Sequence, residues 1–512
     1  MLIINANLEL SGYDAHALRS IDVNGTRIEK VGASHPSEVS GGVVIDAKGR
    51  IVLPGFIDSH AHLLSWEFDV LMVDFASTSH LDEMISMVRE KARQLGPGKW
   101  VVGVNWDDSK VAGIERLNRE LLDATDLPNP VFLQRVCGHA AFLNSQALEA
   151  LCSAPGFAGI ECNVDRASGI IREDAVHLVR QLVPVERSER IQGVRRAIDE
   201  ALSLGVTSIC EMHALPYQFE ALRDAASDIE IFVYMDYISG DSFQMLEQLE
   251  PSGLCRAVGL KLVADGSIGA RTAAVSRPYA GTEERGVLLL NSDEVAKIAK
   301  RALPRGIQLA VHAIGDRAVD AVISAYEDAN AKSIPDHRHR LEHLEILPEP
   351  LDESLGRLRR SGLLASMQPG FIESWGREHG LYGERFGAGW AKTNAFGAIK
   401  RAGIPLCFGS DSMPVGPIYG LRGAVNHPFR DFALSIEDAI DAHTAGAAFA
   451  VREENRLGRI KEGMDADLVI LDAKRAAQVL AARVIATIKA GRIVHEDPAL
   501  RHPADGAGGD PT

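Results

Sequence analysis

The feature that most constrains this chain is a recurring pairing of a short apolar run with a helix-like segment. The runs fall at residues 56–62, 205–212, 229–236, 258–265, 307–313, 340–346, 363–369 and 404–411. Most are spaced by a length that holds one helix. Eight repeats of strand then helix are the sequence form of a parallel (β/α)₈ TIM barrel, so an α/β fold of that class is expected. The gap between His62 and Val206 is the exception, because it is far too long for one crossover. Loops in compact domains rarely exceed ~15 residues without structure of their own. Residues 66–190 therefore read as an insertion after strand one. The insertion carries a helix at 81–95, with Leu81, Met84, Ile85, Val88, Ala92 and Leu95 on one stripe and Gly96 as its stop. Strand-like text follows at 99–106 and 130–135, and Trp100, Trp106, Phe132 and Phe142 read as the insertion's own core.

The two ends of the chain carry a different text. IDVNGTRIEKVG (21–32) is a hairpin around Asn24-Gly25, a pair that tolerates positive φ at both turn positions. The same pattern returns at 456–472 and 487–495. Neither fragment is large enough for a core alone, so residues 1–54 and 455–498 are expected to pack as one composite β-sandwich. The barrel then takes 55–65 plus 191–454, and the Gly/Pro/Asp-rich residues 499–512 read as a flexible tail. A chain of 512 residues exceeds a single ordinary core, which fits this division. The net charge of −16 argues against nucleic acid or an anionic membrane as partner. No apolar run approaches the ~20 residues of a membrane span. The opening MLIINANLELSG shows neither the basic nor the apolar region of a secretory signal. The six cysteines are scattered without a C-x-x-C pair, which suits reduced thiols in a cytoplasmic compartment.

Chemistry-bearing residues gather at the ends of the strand candidates. In Leu53-Pro-Gly-Phe-Ile-Asp-Ser-His-Ala-His62, alternation along an extended strand turns His60 and His62 to the same side. Strand four carries Lys261, strands five and six end in His312 and His343, and strand eight ends in Asp411. The C-terminal strand ends of such a barrel form its active-site rim. Read alone, each residue is an ordinary hydrogen-bonded strand end. Together they deliver four imidazoles, a carboxylate and a lysine to one opening, a donor set suited to Zn²⁺ or another divalent transition metal.

These segments also resemble a known family. PGFIDSHAH looks like the strand-one signature of the amidohydrolase superfamily. KLVADGSIGARTAAVSRPY (261–279), VHAIGDRAVD (311–320), HRLEH (339–343) and FGSDSMPV (408–415) resemble its YtcJ-like, amidohydrolase-3 branch, which includes N-substituted formamide deformylases. GHAAFLNSQAL (138–148) and GRIKEGMDADLVILD (458–472) match that branch as well, so the likeness spans nearly the whole chain. It implies a composite β-sandwich, a distorted (β/α)₈ barrel and metal-dependent hydrolysis. By position, it makes His60, His62, His312, His343 and Asp411 metal ligands. In binuclear members a strand-four lysine reacts with carbon dioxide and bridges two metals, which would make Lys261 a carbamate. Charge counting agrees, since two divalent ions facing only Asp411 and a hydroxide would be under-neutralised. The other reading of Lys261 is a cation anchoring Asp265 or a substrate carboxylate.

The expected reaction is hydrolysis of a C–N bond in a small amide or formamide-type substrate. A metal-bound hydroxide attacks, one or two ions (zinc first) supply it, and Asp411 shuttles the proton. His139 and Asn144 in the insertion, and Asp265 and Arg271 in the Gly-rich loop after strand four, are the candidate substrate contacts. The competing readings of the first two are a surface histidine and an N-cap asparagine. Glu211 and His213 are expected as hydrogen-bond partners of the metal-binding imidazoles, while Asp316, His337, His339 and His443 read as structural. A mononuclear deaminase of the same barrel is the nearest alternative, although Asp316 stands where such enzymes carry a glutamate. A non-catalytic, metal-stabilised scaffold is the other. The insertion's apolar stripe offers a surface for a homodimer contact.

Overall fold

Eight parallel strands form one sheet in sequence order. They are β1 (Phe56–Ala61), β2 (Val206–Ala214), β3 (Glu230–Asp236), β4 (Cys255–Val263), β5 (Gln308–Ala313), β6 (Arg340–His343), β7 (Leu364–Met367) and β8 (Leu406–Phe408). The computed structural model describes residues 1–14, 17–33, 43–68, 71–251, 253–334 and 336–497, and the tail expected at 499–512 lies outside them. All eight apolar runs in the sequence are strands. Both faces of this sheet are covered, which is why the runs lack polar alternation: every residue of β1 is buried. Ile57, Cys210, Phe232, Ala310, Leu364 and Cys407 belong to one core cluster, while Phe56, Val206, Ile209 and Leu309 pack in the larger cluster that includes the surrounding helices.

The expected class holds: a nearly closed TIM-like barrel accompanied by separate sheets. Between β8 and β1 the seam is made by the loop that follows β8. Asp411 N donates to His60 O at 2.7 Å, and Ser410 donates to the Asp58 carboxylate through its N (2.8 Å) and its hydroxyl (2.5 Å). Gly409 permits this approach, because a Cβ there would sit 2.3 Å from His60 N. Gly55 does the same at the entry to β1, where a Cβ would meet Thr207 Oγ1 at 2.4 Å.

The chain ends form two four-stranded sheets. One holds Leu2–Ala6, Arg19–Asn24, Arg27–Ala33 and Val44–Asp46; the other joins Val52–Pro54 to Leu468–Leu471, Val484–Lys489 and Arg492–Glu496. Ile3, Ile21 and Ile28 share a core with Leu468, Ile470 and Ile488, so residues from both ends bury each other's apolar faces. We propose the domain limits given above on that shared core.

The insertion builds its own six-stranded sheet from Met72–Asp74, Val101–Trp106, Val131–Arg135, Ala140–Leu143, Val164–Asp165 and Ile170–Arg172. The helix Leu81–Leu95 buries Leu81, Met84, Val88 and Ala92 in a cluster with Val101, Trp106 and Leu133. Its stripe is therefore covered from within, and the expected dimer surface there is not exposed. Among the described residues no helix is long and apolar enough to cross a membrane.

Candidate active site

The C-terminal ends of the barrel strands open into a cavity of about 1130 Å³, roofed by the insertion. His60, His62, Lys261, His312, His343 and Asp411 all line it, as do Cys137, His139 and His177 from the insertion. His60 is fully buried, and Lys261, His312 and His343 are at most 5% exposed. One donor atom from each of His60, His62 and Asp411 lies within 4.8 Å of the others. His62 Nε2 is 2.8 Å and His60 Nε2 3.5 Å from Asp411 Oδ1, and Lys261 Nζ is 3.4 Å from His60 Nε2. The His343 ring centroid lies 4.7 Å from that of His60 and 4.5 Å from that of His312.

Each of the four imidazoles has one nitrogen committed to an acceptor. His60 Nδ1 faces Glu342 Oε2 at 2.6 Å, His62 Nδ1 faces Met212 O at 3.1 Å, and His343 Nδ1 faces Gln368 Oε1 at 2.7 Å. His312 is held the other way round, with Nε2 3.1 Å from Gly266 O. These contacts leave Nε2 of the first three, and Nδ1 of His312, as the nitrogens available for ligation. Fixing one ring nitrogen sets the tautomer and orientation of the other, as metal-ligating histidines require. Electrostatics agrees with that task. Burial, reinforced by Lys261, drives the His60 imidazole well below its usual range, and burial does the same to His343 beside His312. Neutral imidazoles are the form a metal binds. Burial would raise Asp411, yet the hydrogen bond from His62 and the charges of His62, His60 and Lys261 outweigh it and hold the carboxyl well below its usual range. Burial lowers Lys261 to about 8. The donor set, its protonation and its outer contacts thus fit a divalent metal ion.

The backbone is strained where the donors sit. His343 (φ 71°), Asp411 (φ 55°), Ser412 (φ 58°) and His213 (φ 66°) occupy the left-handed region that non-glycine residues avoid. Asp411 lies three residues past β8, and its side chain reaches the rim because Gly409 and Ser410 fasten that loop onto β1.

Several expected contacts fall elsewhere. Asn144 is buried as the N-cap of the helix Ser145–Cys152: its Oδ1 accepts from Ala147 N and Val131 N, and its Nδ2 donates to Asn129 O. Asp265 spends its carboxylate on the N–H groups of Ala274, Ile314 and Gly315, shaping the loop after β5. Arg271 turns to Glu284 at 3.6 Å. None of the three lines the cavity; of that group only His139 faces it. Beside those backbone groups, the side chain facing Asp265 is His312, whose Nε2 lies 3.4 Å from Asp265 Oδ1. Glu211 accepts from Leu63 N, and His213 pairs with Asp236 at 2.5 Å.

The acceptors that do hold the imidazoles, Glu342 and Gln368, escape a reading based on strand ends. Glu342 was visible within HRLEH, one residue before His343, but its role depends on β6 lying against β1. Arg340, fully buried, neutralises it: Nε is 2.6 Å from Glu342 Oε1, while Nη2 donates to Ser59 O and Ser366 Oγ. Glu345, pushed up to about 8 by burial, and Glu173 also face the cavity unforeseen.

Comparison with known proteins adds a family to this geometry. The profile described as "Amidohydrolase family" matches residues 43–495. The chain is 28% identical to the putative amidohydrolase YtcJ of Bacillus subtilis, over 91% of this chain and 92% of that one. It is 28% identical to the N-substituted formamide deformylase of Arthrobacter pascens, over 92% and 93%. Among solved structures, an uncharacterized metal-dependent hydrolase from Pyrococcus furiosus superposes with a TM-score of 0.72 at 29% identity, covering 92% of this chain and 98% of that one. The match to the profile spans barrel, insertion and closing sheet alike, and by it the chain belongs to the Amidohydrolase family, as an enzyme hydrolysing carbon–nitrogen bonds.

Proposed function

We propose that this enzyme hydrolyses the C–N bond of a small amide or N-substituted formamide, with His60, His62, His312, His343 and Asp411 holding one or two divalent ions, zinc foremost. The observation that carries the reading is the set of imidazoles, each tied at one nitrogen to a barrel acceptor, beside the Asp411 carboxylate. The formamide class is taken from the Arthrobacter relative's name. A bound divalent ion supplies a water that is nucleophilic at neutral pH and polarises the scissile carbonyl. Asp411, kept ionised by the hydrogen bond from His62, takes the proton of the attacking water and returns it to the leaving nitrogen. His60 and His343, kept neutral by burial, do not compete for that proton. The insertion's roof excludes bulk water from the reacting bond and, with His139, contacts the substrate.

Lys261 fits the carbamate role. Its buried amine, lowered to about 8, attacks carbon dioxide, releases a proton and becomes an anion beside His60. An ammonium at that distance would instead repel a cation. Against the deaminase alternative, Asp316 binds Ser276 through N and Oγ and does not line the cavity. The described cysteines are all unpaired, in keeping with a cytoplasmic enzyme.

The test is a panel of N-formyl and N-acyl amines incubated with metal-loaded protein, following amine release alongside metal content per chain. Release with near two ions per chain is expected. Inactivity across the panel in fully loaded protein would favour a metal-stabilised scaffold.

A further inference from the structure

One residue pair on the insertion faces the same cavity: His139, the substrate contact proposed above, and Glu173, which has had no part in the reaction so far. His139 begins just before the strand Ala140–Leu143, and Glu173 precedes the helix Asp174–Leu182. The two are clasped twice. His139 Nδ1 lies 2.8 Å from Glu173 Oε2, and Glu173 N donates to His139 O at 3.0 Å. Glu173 holds a backbone of φ 47° and ψ −122°. A non-glycine residue keeps such a conformation only where its surroundings impose it, and such strain gathers at functional sites.

The barrel makes room for this pair. Gly266, in the loop after β4, would place a Cβ 3.0 Å from Glu173 Oε1 and 2.2 Å from Thr272 Oγ1. The carbonyl of the same glycine holds His312 Nε2, so the insertion's carboxylate and a rim imidazole rest on one residue. The His139 ring centroid is 6.0 Å from that of His312. With Nδ1 committed to Glu173, Nε2 is the nitrogen that His139 offers to the cavity.

We propose that Glu173 is a positioning residue for His139: its carboxylate fixes the imidazole so that Nε2 meets the reacting amide, and the insertion is thereby part of the active site. The inference rests on the hydrolase reading above. A histidine loose about χ2 presents two nitrogens in several directions, whereas one clasped at Nδ1 presents a single nitrogen along one line. Here the orienting acceptor comes from the insertion, while those of the four rim imidazoles come from the barrel.

The test uses the metal-loaded full chain, an N-formyl amine that the wild type hydrolyses, and the variants Glu173→Gln, Glu173→Asp and His139→Gln. Glu173→Gln is expected to lower kcat by about tenfold or more with KM within about twofold, because misorientation costs rate more than binding. Glu173→Asp should recover part of that loss. The double variant Glu173→Gln/His139→Gln should be no slower than His139→Gln alone, the non-additivity of residues acting as one unit. Independently of activity, nitrogen-15 NMR of histidine-labelled protein should show a hydrogen-bonded Nδ1 proton in wild type that disappears in both Glu173→Gln and His139→Gln. An active wild type whose Glu173→Gln variant matches it in kcat, additive losses in the double variant, or a proton signal indifferent to Glu173 would overturn the pairing alone. A wild type inert toward every amide would overturn the hydrolase reading and this role with it.

Discussion

The two ends of this barrel bury charge in opposite ways. At the N-terminal end of the strands, charges meet charges. Arg456 reaches Glu230 (2.6 Å), Glu453 (2.9 Å) and Asp465 (2.7 Å), and Lys489 meets Asp467 at 2.6 Å. Arg338 bridges Asp336 and Glu454 at 2.6 and 2.7 Å. At the C-terminal end, four imidazoles, a lysine and Asp411 line one cavity, and donor atoms of His60, His62 and Asp411 come within 4.8 Å of one another. The first arrangement pairs cations directly with carboxylates and fastens the closing sheet to the barrel. The second turns its donor atoms toward the cavity, a donor set that fits a divalent ion. A buried polar cluster therefore reads as structure when its partners close on each other and as a site when they converge on a space between them.

That contrast breaks most sharply at Asp411. Asp411→Asn should fold and retain some metal, yet lose about 10³-fold or more in turnover, measured as kcat on any amide the wild type hydrolyses. Turnover near wild type would place the proton transfer elsewhere. The opposite end should respond in stability instead. Lys489→Met strands Asp467, 5% exposed, without its cation, and should cost about 3–5 kcal/mol in chemical denaturation while metal content and kcat stay as they were. A comparable loss of metal in that variant would dissolve the distinction between the two ends. Between these lies the outer contact of His343. Gln368→Ala removes its acceptor and should weaken metal affinity about 10–100-fold, read by competition with a chelator. The smallest effect concerns Lys261. Its neutral form, the one that reacts with carbon dioxide, grows as pH rises through about 8. At fixed dissolved carbon dioxide, metal-dependent activation should be about fivefold faster at pH 8 than at pH 7. A rate that falls over this interval would leave Lys261 a plain cation.

The barrel was legible because each strand, covered on both faces, leaves an unbroken apolar run, and all eight runs became strands. The rim residues were legible because they end those runs. What stayed hidden depends on which element lies beside which. Glu342 meets His60 across 282 residues of chain, and nothing in either segment announces the pairing. Asn144 and Asp265 sit in family-like text, but a motif does not reveal which way a side chain turns, and both turn to backbone N–H groups. The insertion showed two of its strands and one helix; its shorter strands, such as Val164–Asp165, are too brief to carry a period.

The measurement closest to the centre of this account is turnover against metal content. Protein stripped by chelator to a verified metal-free state should lose amide hydrolysis entirely and regain it on addition of zinc or another divalent transition metal, while His60→Ala and Asp411→Asn protein should not recover. Full hydrolysis by metal-free polypeptide would contradict it.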